Sequence, residues 1–244
     1  MLFSSITFLF LFLPVVLAVY YLVPGKAKSV ILLMASLIFY AWGEPVYVVL
    51  MILSILLNYF CGRDIKENED DSGKAKFNVV FAVSATLLIL GFFKYYGFLL
   101  DTFNAMFSAD IAYRELPLPV GISFYTFQAI SYIVDIYRGK AQPQKNILYF
   151  ALYITMFPQL IAGPIVRYAD IEIQLKYRRL SAQRFGQGTM YFIIGLAKKT
   201  IIANSMGAVF EQISEMPAGS LSVLTAWLGA FSYAFQIYFD FSGY

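Results

Sequence analysis

Long apolar segments separated by short polar ones dominate this chain of 244 residues. A run of about 18 or more apolar residues with few charges is typical of a helix that crosses a bilayer. The pattern predicts apolar helices in Leu2–Val23, Ser29–Cys61, Asn78–Leu100, Pro117–Gly139, Asn146–Pro158, Gly186–Ala203 and Leu221–Tyr244. We interpret Asn146–Pro158 as a short helix, Gly186–Ala203 as a complete or partial span, and the others as membrane helices.

The polar segments between these helices are short. Arg63–Lys76 carries charges of both signs, which predicts a solvated loop, and Asp101–Glu115 is weakly amphipathic and is expected at the membrane interface. Ala169–Arg184 is amphipathic and basic, which predicts an interfacial helix on the cytoplasmic side. Its basic residues are Lys176, Arg178, Arg179 and Arg184.

Prolines and glycines interrupt two apolar segments. Gly43-Glu44-Pro45 divides Ser29–Cys61, either into two short spans or into one span followed by an oblique helix. Pro158 and Gly163-Pro164 interrupt the chain a second time. Since broken backbone at membrane depth is tolerated only where protein or a water-lined cavity satisfies it, this second break predicts a re-entrant element.

One face of the predicted helix in Pro117–Gly139 is polar. The residues of this face recur at spacings of three and four, and they are Gln128, Ser131, Asp135 and Arg138. Polar groups are costly in lipid, so the face is expected to meet protein or a watery cavity. Two interpretations remain open: a buried pair between Asp135 and Arg138 that locks helices together, or one wall of a polar substrate tunnel.

The last predicted helix also has a face of small and polar residues, namely Thr225, Gly229, Ser232, Gln236, Asp240 and Gly243. A carboxylate in such a helix is by default a hypothesis for a functional site. The alternative is a hydrogen-bonded helix cap near the membrane surface.

Composition supports a membrane protein. Hydrophobic residues make up 60% of the chain and charged residues 14%, against about a quarter charged in soluble domains. We therefore predict an all-α polytopic membrane protein with a single transmembrane domain over residues 1–244. The net charge of +3 is too small to suggest nucleic acid as a partner. The chain has one cysteine, Cys61, and no histidine, which removes the commonest general base and metal ligand.

Five motifs occur together and in order: Tyr40-Ala41-Trp42-Gly43-Glu44-Pro45, the segment from Pro119 to Gln128, the segment from Phe157 to Arg167, Gly195-Leu196-Ala197-Lys198-Lys199, and the segment from Gln236 to Tyr244. With these motifs the chain resembles the membrane-bound O-acyltransferase (MBOAT) superfamily. Its nearest branch is that of the bacterial alginate O-acetylation acyltransferases, with teichoic acid D-alanyl-transfer proteins as relatives. The resemblance implies part of an MBOAT-type ring of helices, with broken and interfacial helices, around a funnel.

The resemblance also implies transfer of an acyl group, expected to be acetyl, to an exported polysaccharide. It implies a multi-pass protein of the bacterial cytoplasmic membrane and an extracytoplasmic partner with a hydrolase fold. The acyl donor is expected to be acetyl-CoA or a carrier-bound acyl group, with no bound cofactor and no metal. Members of the family are roughly twice as long, and their catalytic histidine lies beyond the Asp-Phe-Ser-Gly-Tyr motif. We therefore expect residues 1–244 to be an N-terminal half that is inactive alone.

No catalytic residue carries over from the family to this chain. Gln159, Arg167, Gln236 and Asp240 occupy motif positions and are candidates for lining the tunnel or supporting the histidine. Two other classes of function remain: a transporter or channel for a polar solute, and a non-catalytic remnant. Paired broken helices in two halves are typical of transporters, whereas only one broken region without a counterpart is evident here.

Overall fold

The computed structural model describes residues 3–25, 27–114, 116–160, 163–178 and 180–243. Eleven α-helices follow one another in this part of the chain, and it contains no β-strand. Their bounds are α1 Leu13–Leu22, α2 Lys28–Gly43, α3 Tyr47–Glu67, α4 Ser72–Phe107, α5 Ile122–Tyr137, α6 Ile147–Thr155, α7 Phe157–Leu160, α8 Tyr168–Lys176, α9 Ala182–Ala197, α10 Asn204–Ser214 and α11 Val223–Gly243. A π-helical turn, Phe8–Phe12, precedes α1, and a π-helical segment, Lys198–Ala203, joins α9 to α10.

Among the described residues, three helical segments are long and apolar enough to cross a membrane: Tyr47–Glu67, Ser72–Phe107 and Ala182–Ser214. Phe8–Leu22 and Lys28–Gly43 are apolar but shorter. Large apolar side chains such as Leu88 and Phe98 on α4 point away from the protein and are exposed, as expected for a surface that faces lipid. The predicted all-α membrane fold is confirmed.

The helices form two compact units. The first contains α1 to α8 and the second contains the N-terminal π-helical turn and α9 to α11. Within the first unit, α5 packs against α3 and α4, and α2 packs against α6. Within the second unit, α11 packs along α10 and the π-helical segment. A single transmembrane domain over residues 1–244 stays a prediction.

Aromatic residues fill the core of the first unit. The rings of Tyr132 on α5 and Tyr168 on α8 meet edge to face, with centroids 5.1 Å apart, and Tyr153 on α6 meets Tyr168 in the same way at 5.3 Å. Phe150 on α6 lies 4.5 Å from Tyr132. All four side chains are fully buried, so α5, α6 and α8 are joined through one aromatic cluster.

The predicted solvated loop Arg63–Lys76 is wrong for most of its length. Only residues 68–71 are non-helical, because α3 runs on to Glu67 and α4 begins at Ser72. Charged residues extend a helix readily when they pair along its exposed face, as Arg63 and Glu67 do at 3.3 Å. At the start of α4 the Asp71 carboxylate accepts hydrogen bonds from the backbone N–H groups of Gly73 and Lys74.

Three further boundaries differ from the predicted ones. Helix α4 includes the start of Asp101–Glu115 and ends at Phe107, where Ser108 adopts a left-handed conformation. The predicted helix Ala169–Arg184 is instead the short α8 and the first turn of α9, separated by extended residues around Tyr177. The predicted helix Gly186–Ala203 begins earlier, at Ala182, and continues beyond Ala203 as α10, whose Ser and Glu residues are exposed on the helix surface.

The two predicted breaks are present. Helix α2 ends at Gly43 and α3 begins at Tyr47, on either side of Pro45. Helix α6 ends at Thr155 and is followed by the single turn α7, while Gly163 adopts a positive φ of 105°.

Candidate functional site

The break between α6 and α7 leaves backbone groups without helical partners. Pro158 has no N–H to donate to Ile154, and its ring is incompatible with a continuous helix, so α6 ends at Thr155, with Met156 as its C-cap. The N–H of Phe157 donates instead to the hydroxyl oxygen of Ser36 on α2, at 3.1 Å. The carbonyl oxygen of Tyr153 thereby loses the helical donor that residue 157 would supply in an unbroken helix.

Two glutamine side chains supply the missing donors. Gln128 Nε2 on α5 donates to the Tyr153 carbonyl oxygen at 3.1 Å, and Gln159 Nε2 on α7 donates to the same oxygen at 2.6 Å. Gln128 is buried and Gln159 is half-buried. Two of the predicted site residues, 31 positions apart in sequence, are therefore brought together at one backbone oxygen.

The Tyr153 side chain extends this network in two directions. Its hydroxyl group donates to the Val166 carbonyl oxygen at 3.0 Å and lies 3.4 Å from the Gln128 carbonyl oxygen. The hydroxyl of Ser131 also donates to the Gln128 carbonyl, at 2.8 Å. We name Ser36, Gln128, Ser131, Tyr153 and Gln159 the break network.

The start of α5 fits closely against the other side of the break. Gly121 precedes α5 with a φ of +76°, and a Cβ atom built on it would lie 2.6 Å from the Leu160 carbonyl oxygen. A residue with a side chain would be strained in this backbone conformation. Its Cβ atom would also collide with a backbone oxygen, which cannot rotate away as a side chain could. Glycine therefore permits α5 to begin directly beside α7.

The remaining members of the α5 stripe do not join the break network. Asp135 is buried near the end of α5, and its backbone carbonyl accepts the N–H groups of Lys140 and Ala141. Arg138 is the C-cap residue of α5 and is exposed, and no ion pair joins it to Asp135. The proposed Asp135–Arg138 lock is therefore not observed.

Arg167 lies at the N-terminus of α8 and is exposed. It forms no ion pair within the described part of the chain. Of the basic residues predicted on the interfacial helix, Lys176 pairs with Glu172 at 2.7 Å, and Arg179 lies outside the described residues.

The second unit contains the other two candidates, and both contact the helix that runs from α9 to α10. Gln236 packs over Gly207, where an added Cβ atom would lie 2.8 Å from the amide nitrogen. The Asp240 carboxylate pairs with Lys199, with 2.5 Å between Oδ1 and Nζ. The face of small and polar residues on α11 thus packs against protein, with Gly229 and Ser232 buried.

Sequence reasoning missed several buried polar residues, among them Asn58, Thr86 and Gln144. Gln144 lies in the polar turn between α5 and α6, yet only 2% of it is exposed. Its side-chain amide nitrogen donates to the Tyr168 hydroxyl at 2.8 Å, and its side-chain oxygen accepts the backbone N–H of Asn146. The backbone N–H of Gln144 donates to the Tyr132 hydroxyl. An isolated glutamine in a polar turn has no periodicity that distinguishes it from an exposed one, so the pattern carries no signal.

Comparison with known proteins places the chain in a family. It is 38% identical to a probable alginate O-acetylase of Azotobacter vinelandii and 38% identical to one of Pseudomonas aeruginosa, over 100% of this chain and 49% and 47% of those proteins. It is 35% identical to a peptidoglycan O-acetyltransferase of Helicobacter pylori, over 100% of this chain and 52% of that protein. No family model matches the chain.

These similarities extend over the whole chain, and together with the helical membrane fold they show that the protein belongs to the membrane-bound O-acyltransferase superfamily. The chain spans about half the length of the curated relatives it matches.

Proposed function

We propose that this chain is part of a multi-pass O-acyltransferase of the bacterial cytoplasmic membrane that transfers acetyl groups to an exported polysaccharide. The observation that carries the proposal is the similarity of the entire chain to proteins named as O-acetylases and an O-acetyltransferase. The acceptors in those names, alginate and peptidoglycan, are both glycans of the cell exterior. A glycan hydroxyl group is therefore the acceptor that we propose.

In the proposed reaction, an acyl carbon–sulfur bond of a thioester donor breaks and an ester bond to the acceptor hydroxyl forms. The hydroxyl proton passes to a general base, and the donor sulfur leaves as a thiol once it is protonated. Acetyl-CoA and an acetylated carrier protein share this thioester chemistry. Because this chain contains no histidine, we propose that the histidine implied by the family resemblance is supplied from outside residues 1–244.

The break network is the part of this chain that we propose lines the path of the acyl group. Each glutamine amide has a second N–H and an acceptor oxygen beyond the bond to Tyr153. Broken backbone among apolar helices needs such polar support, and the same support provides hydrogen-bonding groups for a polar substrate. The exposed guanidinium group of Arg167, close after the break, is suited to attract an anionic donor.

An extracytoplasmic partner with a hydrolase fold is proposed to complete delivery to the polysaccharide. Deletion of the gene tests the function in the cell. We expect the exported polysaccharide to lose its ester-linked acetyl groups while its amount is unchanged, with recovery on complementation by the complete gene. A fall in the amount of exported polysaccharide with normal acetylation would instead indicate a transporter, and unaltered acetylation would contradict the proposal.

A further inference from the structure

Two consecutive lysines in the π-helical segment Lys198–Ala203 contact the last turns of α11. Lys198 Nζ donates to the Ser242 carbonyl oxygen at 3.2 Å, and Lys199 Nζ pairs with Asp240 Oδ1 at 2.5 Å. Because a π-helix has more residues in each turn than an α-helix, successive side chains diverge less around its axis. The segment therefore directs both ammonium groups toward the same end of α11.

Close backbone packing fixes this geometry. A Cβ atom at Gly195 would overlap the carbonyl oxygen of Gly243, so α9 and α11 approach each other with no side chain between them. Lys199 lies one turn after Gly195 and Asp240 lies one turn before Gly243. The position of the carboxylate relative to Lys199 is thus set by the crossing of two helices.

Stability alone gives a weak reason for this ion pair. The Lys199 and Asp240 side chains are each 38% exposed, and partly exposed pairs contribute little to the free energy of unfolding. Charges on apolar membrane helices are costly and mark functional sites. The pair also leaves the second carboxylate oxygen, Oδ2, with lone pairs for a further donor.

We propose that Lys199 is a positioning residue: it fixes the orientation of the Asp240 carboxylate through Oδ1, so that Oδ2 can accept a hydrogen bond from the general base of acyl transfer. Lys198 fixes the last turn of α11 and thereby the direction of the carboxylate. This inference rests on the proposed acyltransferase function and assigns to the Gly195–Lys199 motif a part in it.

The test uses the complete protein in membranes, with labelled acetyl-CoA as donor probe and the host's exported polysaccharide as acceptor. We expect Lys199→Met to lower kcat at least about tenfold with the KM for the donor within about twofold, because the base loses its orienting group but the donor site is untouched. Lys199→Arg keeps the ion pair and should retain kcat within about threefold. Lys176→Met is the matched control, since it removes the Lys176–Glu172 ion pair of similar length and exposure on α8 and should leave kcat unchanged.

Exchanging the two charges separates positioning from structural support. We expect the double variant Lys199→Asp, Asp240→Lys to unfold at close to the wild-type temperature but to remain inactive, since α11 then carries no carboxylate at this position. Recovery of kcat in the exchanged variant, or wild-type kcat in Lys199→Met, would overturn the positioning role while leaving the acyltransferase function intact. Absence of transfer by the wild-type protein would overturn the proposed function itself and this role with it.

Discussion

Gln128 and Gln159 donate hydrogen bonds to the same backbone oxygen, the carbonyl of Tyr153, at 3.1 and 2.6 Å. One glutamine comes from the middle of α5 and the other from the single turn that follows the break. Their convergence shows how side chains satisfy a carbonyl that a continuous helix would have satisfied by itself, at a place where proline breaks the helix.

This shared acceptor predicts that the two glutamines compensate for each other. Gln128→Met or Gln159→Met should each lower the free energy of unfolding by about 1 kcal/mol, because one donor remains. The double variant leaves the carbonyl without either donor and should lose more than the sum of the single losses. Thermal unfolding of the complete protein in detergent gives the stabilities of the wild-type protein, the two single variants and the double variant. If the double variant loses only the sum of the two single losses, the two hydrogen bonds are independent.

Gln144 should contribute far more to the free energy of unfolding than Gln142, two residues earlier in the chain. Gln144→Leu removes a donor to Tyr168 and an acceptor for Asn146 in a buried site, so we expect a loss of about 2–3 kcal/mol in the free energy of unfolding. Gln142 lies in the same turn but is exposed, and Gln142→Leu should change stability by less than about 0.5 kcal/mol. Equal unfolding temperatures for the two variants would contradict the buried hydrogen bonds of Gln144.

Gly121 and Gly139 provide a matched pair for the close approach of α5 to the break. Both have positive φ angles, +76° and +69°, but a Cβ atom at Gly139 meets nothing within 4 Å. Gly139→Ala should therefore cost only the backbone strain, about 1–2 kcal/mol. Gly121→Ala adds a collision with the Leu160 carbonyl and should be clearly more destabilising in the same unfolding experiment; a smaller or equal loss would show that α5 does not abut α7.

The Asp71 carboxyl should make the stability of the start of α4 depend on pH. Hydrogen bonds from the backbone and ammonium group of Lys74 and from the Gly73 N–H hold the pKa of this carboxyl below its usual range. Its contribution to stability is therefore complete above the unfolded-state pKa of about 4 and is lost as the pH falls through the lower folded-state pKa. Asp71→Asn should remove that part of the acid dependence of the unfolding temperature, and an unchanged acid profile would exclude the carboxylate as its source.

Much of the architecture was predictable from residue patterns. Pro45 and Pro158 fixed both helix breaks, because proline removes a backbone donor wherever it stands. The small and polar face of α11 is visible in the residue spacing, and it is the side of that helix that meets protein, since glycine and serine allow close helix packing. The helices around Arg63–Lys76 were not predictable in this way, because charged residues that pair along a helix have the composition of a loop.

The candidate site was predictable in its residues but only partly in their partners. Spacing on a helical face placed Gln128 and Ser131 together, yet nothing in the sequence shows that Tyr153 supplies the oxygen that Gln128 shares with Gln159. That contact depends on how α5 packs against α6, which periodicity does not specify. The partner of Asp240 was missed for the same reason: Lys199 reaches it through a π-helical segment that has no sequence signature.

The most direct measurement is transfer of labelled acetyl groups to exported polysaccharide by membranes that contain the complete protein, either wild-type or with Gln128→Met and Gln159→Met combined. We expect hydroxylamine-labile label on the polysaccharide with wild-type membranes. We expect a loss of at least about tenfold in the double variant, while Gln142→Met transfers at the wild-type rate. No transfer by the wild-type protein, or equal transfer by the double variant present at equal amounts in the membrane, would contradict the claim that the break network serves acyl transfer.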